Sequence, residues 1–497
     1  MATEREVVLM DQEITSFDAA EPGAFGDILN VDRGPAVPAK VGLLAVGYFE
    51  YWRMYPSLRA TVETDLAKVA ERLAAKVDVV YPGMVDNLDR AEEAGRALAE
   101  AGVDVVVVVE GTYLPDYMVL HALEHVPHAR VVLFNTQTGA GVRPSDDYEA
   151  TMRNSALIGV TQLSGSFTKA RRDYDVVVGE IAEDRGYEEI ARIARVRAAV
   201  ARLRACNLGL IGHVFRGMYD LEFDRGSVRG CLGPEVISVQ ADHLVDLWQD
   251  VAPDNVRARA AQLTDRFAVR GVTATDIERS VRLGIAMERL SARYKLDGLC
   301  FLGQHYLEKM TGAPARIGAS MMMEDGVMVA CEGDVGGLVM MQLMHDLTGR
   351  APVQMEWGQF DVNNNALFLL GHGIASPDAA ADPTGVTLTR APEEWGFEGA
   401  GVNWEFILRP GPVTLGHFIS TPDGWRMLIS EGESIEFSCL PCDEIHGMVR
   451  VQSPVCDYLK QLIKLGVTHH AIVIHEELVP ELELAAELMG VDSVVLR

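Results

Sequence analysis

Two apolar runs, residues 41–49 (VGLLAVGYF) and residues 103–111 (VDVVVVVEG), decide the fold of the first third of this chain. The second run is almost continuous valine, which is typical of a strand buried on both faces of a parallel sheet. A third run, residues 77–83 (VDVVYPG), lies between them, and helical patterns over about 56–75 and 88–101 alternate with the runs. The stretch therefore predicts a βαβαβ unit.

The carboxyl ends of parallel strands are where such sheets bind ligands. The segments that follow the predicted strands are rich in aromatic or amide side chains: GYFEYWRMYP (47–56), EGTYLPDYM (110–118) and FNTQTGAGVRP (134–144). Tyr51, Trp52 and Tyr113 are accordingly candidate substrate-binding residues.

Beyond this unit, a helix predicted over 185–205 precedes a second strand-first α/β unit that begins at residues 207–215 (NLGLIGHVF). After residue 352, short strands such as VNWEFILRPG (402–411) are separated by Gly, Pro and Asn turns, which favours an antiparallel barrel or sandwich. We therefore predict an α/β protein with two Rossmann-like domains built on parallel sheets and a C-terminal antiparallel β-barrel domain, over 1–178, 179–352 and 353–497.

Charge, hydropathy and cysteine content indicate which partners and which cellular location to expect. The chain has 44 Lys and Arg against 72 Asp and Glu, a net charge of -28, so nucleic acid and anionic membranes are not expected partners. The first thirty residues do not resemble an export signal and no stretch resembles a membrane span, so we expect a cytoplasmic protein. Seven cysteines fit reduced thiols. Cys439, Cys442, His446 and Cys456 could be drawn as a zinc site, but a loop that buries small thiols is the preferred interpretation.

Carboxylates that could carry chemistry occur in residues 327–347, VMVACEGDVGGLVMMQLMHDL. Asp334 is predicted to be the N-cap of the helix that follows. Glu332 comes after an apolar strand, where a buried carboxylate needs a cation or a polar partner. Both carboxylates could also simply bind the helix amides.

A hairpin is predicted over residues 353–373, VQMEWGQFDVNNNALFLLGHG. A turn centred on Asn364 would place Glu356 opposite His372, close enough to share one ligand. Asp361 would lie beside the turn and cap its amides, so Glu356 is preferred over Asp361 as a functional residue.

Two adjacent histidines open the strand predicted in residues 468–475, THHAIVIH. We expect His469 and His470 to point to opposite faces of it. A histidine at the start of a strand is more often structural than a ligand, so only convergence with another cluster would indicate a functional role.

Several motifs in order resemble the superfamily of arabinose and fucose isomerases. The matching segments cover most of the chain: the Asn-Thr-Gln stretch of 134–141, the Glu-Gly-Asp metal motif of 331–334, the histidine segment of 367–373, the barrel strands of 411–433 and the paired histidines of 466–475. Residues 47–56 differ from the Gln-His-Leu-Tyr type of loop in arabinose isomerases, so the resemblance does not extend to L-arabinose itself as substrate.

The resemblance implies a metal-dependent isomerase that interconverts a small aldose, of the pentose or deoxyhexose type, and its ketose. It implies that Glu332, Glu356, His372 and His470 bind Mn²⁺, with Co²⁺ or Mg²⁺ also compatible, and that Gln137 reaches the sugar. It also implies a homo-oligomer, trimeric or hexameric, with the active site at a subunit interface. Glu332 and Glu356 would act as base and acid through an enediolate, although a hydride shift could use the same ligands.

Two other functions stay open at this point. A non-catalytic sugar-binding protein could use tandem α/β domains with aromatic loops, and it would show no metal dependence. A metal-dependent sugar epimerase or aldolase would share the enediolate chemistry and release different products.

Overall fold

The computed structural model describes residues 37–301, 307–391 and 401–497; the first thirty residues, where no export signal is expected, lie outside these ranges. In the described part of the chain, no helix combines the length and the apolar character that a membrane span requires. The architecture is mixed α/β, with two parallel sheets, a mostly antiparallel sheet of seven strands and a small sheet of three.

The first parallel sheet and its helices occupy the N-terminal part of the described chain. In chain order they are β1 (Lys40–Val46), α1 (Phe49–Met54), α2 (Leu58–Ala74), β2 (Asp78–Val80), α3 (Leu88–Ala101), β3 (Val105–Glu110), α4 (Tyr117–Leu123), β4 (Arg130–Gln137), α5 (Tyr148–Arg153), α6 (Ala156–Ala170) and β5 (Tyr174–Glu180). The strand order is β2-β1-β3-β4-β5, all parallel. The valine run forms β3, and every residue of β3 is buried, which confirms the predicted βαβαβ unit.

The second parallel sheet follows a long helix. Its elements are α7 (Arg185–Ala205), β6 (Asn207–Ile211), α8 (Arg225–Ser227), β7 (Glu235–Val239), α9 (Ala241–Gln249), α10 (Pro253–Arg266), β8 (Ala268–Val269), α11 (Ala274–Tyr294), β9 (Gly298–Phe301), α12 (Glu308–Thr311), α13 (Arg316–Glu324), β10 (Met328–Cys331) and α14 (Val335–Thr348). The strand order is β10-β9-β6-β7, again all parallel. The carboxyl ends of β6 and β10 therefore lie at the same edge.

The remaining elements build the third sheet, except that β13 and β14 belong to the small sheet of three strands. They are β11 (Val353–Asp361), β12 (Ala366–Gly371), β13 (Thr387–Arg390), β14 (Val402–Glu405), β15 (Gly411–Thr421), β16 (Gly424–Ile435), β17 (His446–Arg450), α15 (Val455–Lys464), β18 (His470–Ile474), α16 (Val479–Met489) and β19 (Asp492–Leu496). The sheet has the order β15-β18-β11-β12-β17-β16-β19, and β15 also pairs with β16. Its pairings are antiparallel except that β19 runs parallel to β16, which the sequence did not indicate.

One predicted barrel strand belongs elsewhere. Within the segment 402–411, β14 pairs with β13, and β13 pairs with β8, in the separate sheet of three strands. Trp404 of β14 is fully buried there and packs edge-on against Phe267, with ring centroids 4.7 Å apart. The prediction is therefore wrong for residues 402–405, whereas Ile407 forms a single bridge to His446 of β17 and Gly411 begins β15.

The helix α14 connects the second sheet to the third, and its N-terminus is pressed against β15. A Cβ on Gly336 would lie 2.3 Å from the carbonyl oxygen of Phe418. Because only glycine permits this approach, the first turn of α14 sits directly against a strand of the third sheet, and the residues just before it reach the space between the two sheets.

Candidate functional site

Glu332 lies in the tight turn that joins β10 to α14. Its φ is 62° and that of Gly333 is 75°, so two successive residues adopt the left-handed conformation. For a glutamate this conformation is strained, and such strain is common at functional sites. A Cβ on Gly333 would lie 2.9 Å from the carbonyl oxygen of His213, in the segment after β6. The turn thus brings the Glu332 carboxyl to the carboxyl end of β6.

Asp334 is fully buried and uses both carboxylate oxygens. Oδ1 accepts a hydrogen bond from the backbone amide of Gly337 at 2.8 Å, which confirms the predicted N-cap. Oδ2 accepts from Nε2 of His417 and from Nδ1 of His470, both at 2.9 Å. Burial alone would raise the pKa of Asp334, but these histidines hold that pKa well below its usual range. Asp334 is therefore a buried anion that orients His470.

Two histidines approach the carboxylate of Glu332. Its Oε2 lies 3.2 Å from Nε2 of His469 and 3.3 Å from Nε2 of His470. His469 also donates from Nδ1 to Oδ2 of Asp220 at 2.6 Å. Burial alone would lower the pKa of both histidines, but the neighbouring carboxylates raise each pKa to about 9. Burial would raise the pKa of Glu332, and the histidines hold it below its usual range instead.

The prediction that His469 and His470 point to opposite faces is wrong. The strand β18 begins at His470, so His469 precedes it and is not bound by the alternation of side chains along a strand. The two ring centroids are 4.1 Å apart, and both rings approach Glu332.

Glu356 and His372 come together through a register that differs from the predicted one. Glu356 lies opposite Leu370 on β12 and opposite His470 on β18. Next to the turn the β11–β12 pairing already differs from the predicted one by one residue, and the register shift at Gly358 adds a second. An extra residue of this kind is a β-bulge. His372 follows the end of β12, and its Nε2 still lies 3.1 Å from Oε1 of Glu356. The expected proximity is present although the expected pairing is wrong.

Asp361 lies apart from this group, beside the hairpin turn. Its Oδ1 accepts hydrogen bonds from the backbone amides of Asn363 and Asn364, at 2.8 and 3.0 Å. The predicted capping role is confirmed.

A pocket of about 410 Å³ opens between the second and third sheets. It is lined by Gly217, Met218, Asp220, Glu332, Glu356, Leu370, Gly371, His372 and His469. The Nε2 atoms of His372 and His470 are buried and, within the described part of the chain, lack a well-aligned hydrogen bond. Two carboxylates and two such imidazole nitrogens form a donor set that divalent transition metals accept, so these residues fit a bound cation.

The four predicted substrate residues, Tyr51, Trp52, Tyr113 and Gln137, lie at another place. They occupy the carboxyl edge of the first sheet, in or just after β1, β3 and β4. As far as the described residues go, none of them lines the pocket over Glu332. A single chain therefore does not bring the two predicted groups together.

Asp220 and His469 are site residues that the sequence reading missed. Asp220 lies in a short 3-10 turn, Tyr219–Leu221, after β6, and it also accepts from the backbone amide of His469 at 3.1 Å. Nothing local marks Asp220, because its partner comes from the far end of the chain. A predicted strand that began at His470 would have left His469 free of the alternation of side chains, so that both histidines could have been expected at one site.

The cysteine-rich loop has no free imidazole nitrogen for zinc. Nε2 of His446 accepts from the backbone amide of Leu440, and Nδ1 lies 2.9 Å from the carbonyl oxygen of Glu444. Cys442 Sγ is 3.4 Å from the same Nδ1. The expectation that the loop buries small thiols is wrong, because Cys439 and Cys456 are exposed and Cys442 is only half-buried.

Glu110 is a buried carboxyl at the carboxyl end of β3. Its Oε2 packs on Gly159 of α6, where a Cβ would overlap it, and within the described residues this oxygen has no hydrogen-bond partner. Burial, and to a smaller extent Asp116, raises the pKa of Glu110 to about 9. The side chain is therefore neutral at pH 7.

We expect Glu110→Gln to flatten the dependence of stability on pH. Because the native pKa exceeds the ordinary value of 4.5, the wild type loses stability as the pH rises from there to about 9, by at most about 1.4 kcal/mol per pH unit. Glutamine keeps the shape and does not ionise. By calorimetry, the variant should melt above the wild type at pH 8.5 and close to it at pH 5; an equal offset at both values would contradict the shifted pKa.

No protein-family model matches the chain. A sulfoquinovose isomerase from Alkalicoccus urumqiensis is 23% identical over 347 residues, which cover 69% of this chain and 76% of that protein. A sulfoquinovose isomerase from Priestia aryabhattai is 19% identical over 399 residues, 79% of this chain and 85% of that protein. An L-arabinose isomerase from Erwinia tasmaniensis is 21% identical over 401 residues, 78% of this chain and 79% of that protein.

These relatives are named as sugar isomerases, and the similarity covers more than two thirds of each of them. They favour an aldose–ketose isomerase over a sugar-binding protein and over an epimerase or aldolase. The resemblance seen in the spaced sequence motifs and the similarity over most of the chain agree. The relatives and the spaced motifs therefore support membership of the arabinose and fucose isomerase-like superfamily of sugar isomerases.

Proposed function

We propose that this isomerase works with one divalent cation, held by Glu332, Glu356, His372 and His470. The observation that carries the proposal is that Glu332, Glu356 and His372 line one pocket. The buried Nε2 of His470, which is not itself part of the lining, lies 3.3 Å from Oε2 of Glu332. Mn²⁺ is the expected ion, with Co²⁺ or Mg²⁺ as alternatives, since mixed carboxylate and imidazole ligands accept all three. A bound cation would polarise two adjacent sugar oxygens and acidify the hydrogen on the carbon beside the carbonyl.

Glu332 and Glu356 are the proposed base and acid. One carboxyl takes the proton from C2 and the pair returns a proton to C1, while the hydroxyl proton moves from O2 to O1, so that the sugar passes through an enediolate. The Glu356 side chain is 35% exposed and opens to the pocket, whereas that of Glu332 is 3% exposed and is oriented by His469. Asp334 holds Nδ1 of His470, which turns Nε2 of that ring toward Glu332.

The proposed substrate is a small aldose of the pentose or deoxyhexose type. Both classes are represented among the names of the relatives, because L-arabinose is a pentose and sulfoquinovose is a 6-deoxyhexose that carries a sulfonate.

We also propose that Tyr51, Trp52, Tyr113 and Gln137 reach the sugar from a neighbouring subunit, in a homotrimer or homohexamer. Their separation from the pocket within one chain supports this arrangement. We further propose that the three domains have the boundaries predicted above and that the third sheet closes into a barrel. In that sheet β11, β12, β15, β16, β17 and β18 each pair on both sides, which supports closure.

Turnover of a sugar panel by metal-stripped protein tests the proposal. The panel contains L-arabinose, L-fucose, D-glucose and sulfoquinovose, each with and without added MnCl₂ in deuterated water, and ketose is scored by NMR. We expect ketose only when metal is present, with deuterium at C1 or C2 if a proton is transferred. Ketose from verified metal-free protein would refute metal dependence. Absence of ketose with MnCl₂, and also with CoCl₂ and MgCl₂ in a repeat of the panel, would refute the substrate class. Ketose without deuterium would favour a hydride shift.

A further inference from the structure

A second group of potential metal ligands lies on the first α/β unit, outside the pocket. Nε2 of His121, on α4, is 3.0 Å from Oε2 of Glu92, on α3. Nε2 of His125, just after α4, is 3.5 Å from the same oxygen. One potential ligand atom from each of the three residues lies within 4.8 Å of the others, so the three side chains converge on one point.

The two histidine–glutamate distances are close to the ligand spacing of a tetrahedral zinc site. Zinc binds histidine nitrogen at about 2.0–2.1 Å and carboxylate oxygen at about 2.0–2.2 Å, which places neighbouring ligand atoms roughly 3.3–3.5 Å apart. The nitrogen–oxygen distances of 3.0 and 3.5 Å lie on either side of that range. Small side-chain shifts would therefore admit the ion.

The backbone brings the two helices close at this point. A Cβ on Gly95 of α3 would lie 2.5 Å from the carbonyl oxygen of Ala122 and 2.7 Å from Cδ2 of His125. Only glycine allows the end of α4 to approach α3 this closely. Gly95 thus lets the backbone of His125 lie close to α3, the helix that carries Glu92.

Neighbouring charges orient the ligands. Nε of Arg96 donates to Oε1 of Glu92 at 2.8 Å, which leaves Oε2 to the histidines. Oε2 of Glu124, an exposed side chain, lies 3.5 Å from Nδ1 of His121, and a small shift would let this carboxylate accept a hydrogen bond from the ligating imidazole. The side chains of Glu92, His121 and His125 are 25–35% exposed, so water can reach the fourth position.

We propose that Glu92, His121 and His125 bind one zinc ion, with water as the fourth ligand. Two imidazoles and one carboxylate favour zinc over Mg²⁺ and Ca²⁺, which prefer oxygen ligands. Because the ligands come from α3 and from the end of α4, the ion ties these two helices together. The site shares no residue with the pocket over Glu332 and is independent of the proposed catalytic cation.

Zinc content of the full chain tests the proposal. Wild type, His121→Gln/His125→Gln and His128→Gln are stripped with chelator, incubated with ZnCl₂, passed through a desalting column and measured by mass spectrometry of zinc. His128 is exposed, lies three residues beyond His125 and is the matched control. Because zinc can also bind in the pocket over Glu332, the informative quantity is the difference in zinc per chain between the wild type and each variant.

We expect the double variant to retain one zinc per chain fewer than the wild type and His128→Gln to retain as much. Zinc should also raise the melting temperature of the wild type more than that of the double variant. Equal zinc content in wild type and double variant would overturn the proposal, and so would an equal loss in His128→Gln. Circular dichroism checks folding; if the double variant does not fold, Glu92→Gln is used in the same comparison.

Discussion

Glu332→Gln is expected to form ketose ~10²–10⁴-fold more slowly than the wild type at saturating manganese, the range for loss of a general acid or base. The amide keeps the size of the side chain but cannot accept a proton from the sugar carbon. It also removes the anion that lies 3.2 Å from Nε2 of His469 and 3.3 Å from Nε2 of His470. The measurement is kcat for ketose formation, on protein shown to be folded by circular dichroism.

Asp361→Asn is the matched control, because it makes the same carboxylate-to-amide change on β11. Asp361 caps the hairpin turn outside the pocket, so full activity is expected. Glu356→Gln should resemble Glu332→Gln, since the proposed mechanism divides the proton transfer between the two carboxyls. If Glu332→Gln kept more than about a tenth of the wild-type kcat, the assignment of Glu332 as base or acid would be wrong.

The parts of the fold that could be predicted are those that depend on local sequence patterns. The observed α3 and α7 have the bounds expected from sequence, 88–101 and 185–205, because each carries a helical apolar period. Gly102 ends α3 in the left-handed conformation, which also fixes that boundary. The neighbours of β14 could not be predicted, because strand pairing is decided by burial against distant residues.

Within the site, the residue types could be predicted and the geometry could not. The predicted hairpin register is wrong for two reasons: the turn is not centred on Asn364, and Gly358 inserts a bulge. A glycine inside a strand indicates that a bulge is possible, but it does not tell where the register shifts. The partnership of Asp220 and His469 joins the turn after β6 to the start of β18. Such a contact depends on how the second and third sheets pack, which no local spacing reports.

Asp334→Asn is expected to be the most destabilising single change at the site. N–H groups of His417 and His470 point at Oδ2 of Asp334, and that of Gly337 points at Oδ1. In either orientation, asparagine would present its own N–H groups to one of these donors, and it removes the buried negative charge opposite the histidines. Loss of one partner from a buried charge pair costs about 3–5 kcal/mol. Calorimetry should show the corresponding fall in melting temperature.

A comparison with Asp147→Asn separates this role of Asp334 from helix capping. Asp147 is the N-cap of α5 and accepts from the backbone amide of Ala150 at 2.9 Å, but it lies at the surface. Asparagine caps a helix about as well as aspartate, so Asp147→Asn should change stability by less than about 0.5 kcal/mol. Asp334→Asn should also weaken manganese binding ~10–100-fold, because His470 loses the carboxylate that orients it. If the two variants were equally stable and bound manganese equally well, Asp334 would only cap its helix, and the orientation of His470 would need another cause.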